Sequence, residues 1–193
     1  VDSVVMSERP TGVPTKLIKK ITLVEESPDH LPVHTLTFEI PTGANFTGRA
    51  QPHSEVRIDM GDVVKMVIPN YKPKSYSMSA LRENEFDVTF KVYHNGRASG
   101  FLDRLQVGDE INTFGMRTKK TRNPGDFVGV IAFGVGITEG LPMSRAELVK
   151  GDAQNVILLW ASRTSADTFW HSEIEDLLRT YPDRFQVVRI LSR

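Results

Sequence analysis

Cysteine is absent from this 193-residue chain, which removes disulfides, thiolate metal sites and cysteine nucleophiles from consideration. Net charge is absent too. The 24 lysines and arginines balance 24 aspartates and glutamates, so overall charge favours neither nucleic acid nor an acidic membrane as a partner. No apolar run reaches the ~20 residues that a membrane-spanning helix needs. The histidines (His30, His34, His53, His94 and His171) lack metal-ligand spacing, and no metal site is expected. Neither a Gly-x-Ser-x-Gly nucleophile elbow nor a P-loop occurs, and there are no internal repeats or low-complexity tracts. The chain is long enough to bury a substantial core as one large domain or two small ones. It opens on Val1 rather than methionine and reads as trimmed, so a soluble protein of the cytoplasm, or of an organelle after processing, is expected.

The pattern changes near residue 122, dividing the chain into expected domains 1–122 and 123–193. The first is β-rich. Phe86, Val88, Phe90 and Val92 alternate with Asp87, Thr89, Lys91 and Tyr93, the period of a half-buried strand. Strands are also expected over 19–24, 35–40, 63–68 and 110–114, with turns at Pro41-Thr42-Gly43, Glu83-Asn84 and His94-Asn95-Gly96. A short helical turn fits 100–105. Strands of this length and spacing suggest an antiparallel barrel or sandwich. The basic run Arg117-Thr118-Lys119-Lys120-Thr121-Arg122 reads as a solvated linker. Beyond Asn123-Pro124-Gly125 the order is strand (127–133), helix (141–149), strand (156–161), helix (166–179) and strand (185–191). That alternation predicts βαβ units and a parallel sheet, with 127–133 as a continuous buried strand.

Three segments carry the candidate chemistry. Lys74-Ser75-Tyr76-Ser77 supplies a point charge, an aromatic wall and hydroxyls, or else an ordinary strand end. In Gly96-Arg97-Ala98-Ser99, backbone amides, a guanidinium and a hydroxyl suit a pyrophosphate. A hairpin turn with a serine cap fits the same residues. Gly134-Val135-Gly136-Ile137-Thr138 follows a strand and precedes a helix, where glycines allow close approach of a dinucleotide and the helix end favours negative charge. It departs from a strict dinucleotide fingerprint because the next glycine is Gly140, and Glu139 would repel a nearby phosphate. Ser162-Arg163-Thr164, at a strand end, is either a ribose 2′-phosphate site or a solvent-facing arginine. Trp160 and Trp170 are assigned to packing.

This ordered set resembles the ferredoxin–NADP reductase superfamily, and within it the cytochrome-b5-reductase-like branch, over nearly the whole chain. The family's Arg-x-Tyr-Ser/Thr motif resembles Lys74-Ser75-Tyr76-Ser77, and its next strand resembles Thr89-Phe90-Lys91-Val92-Tyr93-His94. Its pyrophosphate loop resembles Gly96-Arg97-Ala98-Ser99, and its glycine-rich entry to the second domain resembles Phe133 to Glu139. The resemblance implies an antiparallel flavin-binding barrel followed by an α/β nicotinamide-nucleotide domain. It implies FAD as cofactor and NADPH or NADH as hydride donor, with Arg163 favouring NADPH. Electrons would pass to a haem protein, an iron–sulfur protein or a small molecule.

By the same resemblance, Tyr76 would lie against the flavin ring, with Ser77 near N5 and Thr138 near the stacked nicotinamide. Ser77 and Thr138 are thus the implied catalytic residues. Lys91 and His94 would flank the ribityl and adenosine parts, and Arg97, Ala98 and Ser99 would bind the pyrophosphate. Lys74, Ser75, Thr89, Gly96, Gly134, Gly136 and Ser162 complete the implied cofactor-binding set. Lysine stands where the family has arginine, glutamate where it has proline, and the family's later nicotinamide motif does not follow. The expectation is therefore an oxidoreductase with an incomplete second domain. A flavin-binding module or a non-catalytic remnant is the alternative.

Overall fold

A computed structural model describes residues 12–42, 63–116, 125–150 and 153–192. The basic run at 117–122, the boundary at residue 122, Asn123, Pro124, Gly43 and His53 lie outside them. The first unit is a closed antiparallel barrel of six strands: β1 (Val13–Val24), β2 (Val33–Glu39), β3 (Val63–Met66), β4 (Lys74–Arg82), β5 (Glu85–Lys91) and β6 (Glu110–Met116). They are hydrogen-bonded around the barrel in the order β1-β2-β5-β4-β3-β6. A single helix, α1 (Arg97–Arg104), lies between β5 and β6 in sequence.

The barrel closes because alternate side chains of each strand meet in one core. Leu17, Leu36, Phe38, Val64, Phe86 and Val88 are fully buried there. Each such side chain contributes roughly 1.5–3 kcal/mol on leaving water. Phe38 and Phe86 stack at 5.4 Å across paired positions of β2 and β5. Leu102 fastens α1 to this core. β1 is longer than its expected extent of 19–24. Register shifts after Leu17 and after Thr22 break its inward-outward alternation, so no single period runs through it.

The second unit is a parallel sheet of β7 (Phe127–Phe133), β8 (Asn155–Ser162) and β9 (Phe185–Leu191), in that spatial order. Between them run α2 (Ile137–Lys150) and α3 (His171–Thr180). Two crossovers stepping the same way across a sheet, each right-handed, put both helices on one face. Accordingly Leu141 and Leu148 of α2 and Ile174 of α3 share one core with Val156, Leu158 and Trp160. Val24 and Val33 of the barrel belong to the same cluster, so the two units are joined by apolar packing. A β-carbon on Gly140 would lie 3.2 Å from that of Ala132, and its absence lets α2 approach the sheet.

Three expectations are corrected. The segment 127–133 buries Val130 and Ala132, but Ile131 and Phe133 are 66% and 72% exposed, because neither helix lies on that face. α2 begins four residues earlier than 141, continuing directly from the 3-10 turn at Gly134–Gly136. The helix expected over 166–179 is a 3-10 turn (Ser165–Asp167) followed by α3. Trp170, in the left-handed region at φ 58°, separates them. Among the described residues, no helix is long and apolar enough to cross a membrane.

Candidate functional site

Two neighbouring clefts collect the candidate residues. The first, of about 620 Å³, is bounded by the start of β4, the end of β5, the loop entering α1 and the start of α2. Lys74, Ser75, Tyr76, Ser77, Thr89 and Lys91 line it, as do Gly96, Arg97, Ala98, Ser99, Gly136 and Thr138. The second, of about 750 Å³, lies at the carboxyl ends of β7 and β8 and holds Gly134, Ser162, Arg163 and His94. Lys91 lines both clefts. Segments from opposite ends of the sequence are thus brought to one surface by the barrel–sheet contact. In open α/β sheets, the carboxyl ends of the strands are where ligands bind.

In the first cleft, β4 begins at Lys74, so successive residues of Lys74-Ser75-Tyr76-Ser77 take opposite sides of a paired strand. Tyr76 packs edge-to-face on Phe90 at 6.0 Å, and burial pushes its phenol up to about 12, leaving it a neutral donor. The Ser77 hydroxyl donates to Oε2 of Glu139 at 3.3 Å, joining the barrel to the first turn of α2. Lys74 Nζ and the Arg97 guanidinium lie 5.3 and 5.6 Å from the Tyr71 ring centroid, which gathers both cations at one edge.

The α1 loop owes its shape to Gly96. A β-carbon there would meet Ser99 Oγ at 2.2 Å and the Tyr93 carbonyl oxygen at 3.1 Å. Ser99 Oγ accepts from the Tyr93 amide at 3.2 Å, so this hydroxyl folds the loop. The helix that follows has no side-chain cap, and its first-turn amides are open to an anion. Thr89 Oγ1 is likewise engaged internally, 2.8 Å from Thr35 Oγ1 and 3.0 Å from Ser79 Oγ.

The glycine turn is built from both directions. Gly134 has φ +50°, which favours glycine, and its carbonyl accepts from Trp160 Nε1 at 2.9 Å. Gly136 is exposed, and a β-carbon there would meet nothing within 4 Å. Pro142 offers no amide to the Thr138 carbonyl one turn earlier.

In the second cleft, Ser162 Oγ is buried without a hydrogen-bond partner. Beside it Asp167, 7% exposed, forms a hub. Its Oδ1 accepts from Lys91 Nζ at 3.2 Å and lies 3.5 Å from His30 Nδ1, outside hydrogen-bond geometry. Its Oδ2 accepts from Thr164 Oγ1 at 3.0 Å and lies 3.5 Å from Arg163 Nε. Burial alone would raise the Asp167 carboxyl. The hydrogen bonds from Lys91 and Thr164 and the Lys91 charge outweigh it and hold the carboxyl below its ordinary value. Arg163 also donates to the Asp29 carbonyl.

The donor set fits a long, flat, anionic ligand. Its cations and helix amides could meet phosphates, its aromatic wall and hydroxyls could face a ring, and a glycine turn with an orphaned hydroxyl stands beyond. Tyr71, Glu139 and Asp167 were not identified from sequence as site residues. Glu139 meets Ser77 across 62 residues and Asp167 meets Lys91 across 76, whereas Thr164 and Arg163 beside Asp167, and Tyr71 three residues before Lys74, were readable local spacings.

Residues 130–193 match the oxidoreductase NAD-binding domain family. The chain is 29% identical over 165 residues to NADH–cytochrome b5 reductase 1 of Arabidopsis thaliana, covering 83% of this chain and 57% of that protein. It is 27% identical over 196 residues to the ferredoxin reductase component of 3-ketosteroid-9-alpha-monooxygenase from Mycolicibacterium smegmatis, covering 96% and 52%. The chain therefore spans about half the length of these relatives. Ferredoxin–NADP+ reductase from Plasmodium falciparum with 2′P-AMP shares the fold, with a TM-score of 0.68, 20% identity, and coverage of 93% of this chain and 74% of that one. So does the cytochrome b5 reductase domain of Ulva prolifera nitrate reductase, with a TM-score of 0.69, 20% identity, and coverage of 96% and 77%.

Proposed function

From the chain's membership of the ferredoxin–NADP reductase-like superfamily, we propose that it is the flavin- and nucleotide-binding part of an FAD-dependent NAD(P)H oxidoreductase. Residues 1–122 form its flavin domain and 123–193 its nucleotide domain. The electron acceptor is a haem protein, an iron–sulfur protein or a small molecule.

The observation that carries this reading is the convergence of Lys74–Ser77, the Gly96–Ser99 loop and Gly136–Thr138 on one cleft. Lys74, Arg97 and the α1 amides would hold the pyrophosphate. Tyr76 would wall the ring and Ser77 would face its N5 edge. Thr138, next to Glu139 in the first turn of α2, would border the space for the nicotinamide, and Ser162 with Arg163 would take the far end of the nucleotide. Lys91, which lines both clefts, and His94, which lines the second, would contact the ribityl and adenosine portions. The bound flavin supplies the hydride acceptance and electron release that no side chain here can perform. The chain's own contribution is orientation and a cationic edge.

The test is anaerobic stopped-flow mixing of the FAD-loaded chain with NADH and with NADPH. Bleaching of the flavin band supports the reading, and no bleaching with either nucleotide refutes turnover by this chain.

A further inference from the structure

Ser77 has one proton to donate, and the structure shows where it goes. Its hydroxyl donates to Glu139 Oε2 at 3.3 Å, from the fourth barrel strand to the first turn of α2. Both residues are half-buried and both line the first cleft. A serine hydroxyl has one O–H and two lone pairs. With the O–H held by a carboxylate, only the lone pairs remain for a ligand, and carboxylates form the stronger class of such bonds. Glu139 is itself well placed electrostatically, because a negative charge in the first turn is favoured by the helix dipole.

We propose that Glu139 is a positioning residue that fixes Ser77 as a hydrogen-bond acceptor, so that this edge of the cleft prefers a ligand presenting an N–H donor over the same ligand presenting a bare nitrogen. This rests on the flavin reading. Oxidised flavin offers an unprotonated N5, whereas reduced flavin carries N5–H. The Glu139–Ser77 pair therefore favours the reduced form relative to the oxidised one. The carboxylate's own charge acts on both forms through space, and that contribution must be separated from the hydrogen bond.

A double-mutant cycle makes the separation. Dissociation constants for FAD are measured by tryptophan fluorescence, aerobically for the oxidised form and anaerobically with excess dithionite for the reduced form. The proteins are the unaltered chain, Ser77→Ala, Glu139→Ala and the double variant. Loss of charge is common to both Glu139→Ala backgrounds and cancels. With Ser77 present, removing Glu139 should weaken reduced relative to oxidised FAD by about fivefold more than with Ser77 absent, the usual net effect of one hydrogen bond. Equal effects in the two backgrounds would overturn the inference and leave the flavin reading standing. An unaltered chain that binds neither form would overturn both.

Discussion

Replacing Asp167 by asparagine should loosen the attachment of the nucleotide unit to the barrel. Asp167 belongs to the second unit, while Lys91 ends β5 of the first, and their atoms lie 3.2 Å apart. At an effective dielectric of about 20 the gross attraction at that distance is about 5 kcal/mol, much of it cancelled by desolvation. Asp167 and Lys91 side chains are 6% and 20% exposed, placing the pair between surface and interior. Breaking a fully buried pair costs about 3–5 kcal/mol and an exposed one under about 1 kcal/mol. About 2 kcal/mol is expected here, or a Tm lower by roughly 4–8 °C for a chain of this size.

The pH dependence fixes the origin of that loss. The carboxyl is held below its ordinary value in the folded state, so its contribution is present above that value and disappears as pH falls through the folded one. Circular-dichroism melts should show a constant gap between the two proteins from pH 5 to pH 8, shrinking below about pH 4. No gap at pH 7, or an undiminished gap at pH 3, would refute the argument.

Three further outcomes follow from the same geometry. Burial, aided by the Lys20 charge and opposed by Asp103, lowers His34, so the folded state favours neutral imidazole. Its contribution is complete above the ordinary value of 6.5 and is lost as pH falls below it, so the parent Tm should drop more steeply from pH 7 to pH 5 than that of His34→Leu. Trp160→Phe leaves the Gly134 carbonyl without its indole donor and opens a small void. Urea unfolding should register a loss of about 2 kcal/mol, and AMP binding should weaken because the glycine turn is no longer pinned. Lys74→Ala should weaken FAD binding about three- to fivefold in low salt and less in high salt, read by titration at two ionic strengths.

The architecture was legible where one period ran unbroken. β5, with Phe86, Val88 and Phe90 inward, and the strand–helix alternation after residue 125 are of that kind. β4 was read only at its Lys74–Ser77 edge, because its hydroxyl-rich sequence carries little apolar contrast and its register slips beside β5. α3 began later than its amphipathic pattern suggests, since the turn holding Asp167 interrupts it. The three candidate segments were readable from local chemistry. Their assignments inside the site were not. Ser99 and Thr89 spend their hydroxyls on the protein, and Glu139 accepts from Ser77. Such pairings depend on which strands the barrel brings together, and nothing in the spacing of 62 residues between Ser77 and Glu139 announces them.

The cleft between β4, the α1 loop and α2 is proposed as a flavin dinucleotide site. Equilibrium titration of the purified chain with FAD, FMN and riboflavin, with chromatographic identification of any flavin carried through purification, tests it most directly. One FAD per chain is expected, bound more tightly than FMN because the α1 loop, Lys74 and Arg97 engage the pyrophosphate. Saturable binding of none of the three, or equal affinity for FAD and riboflavin, would contradict it.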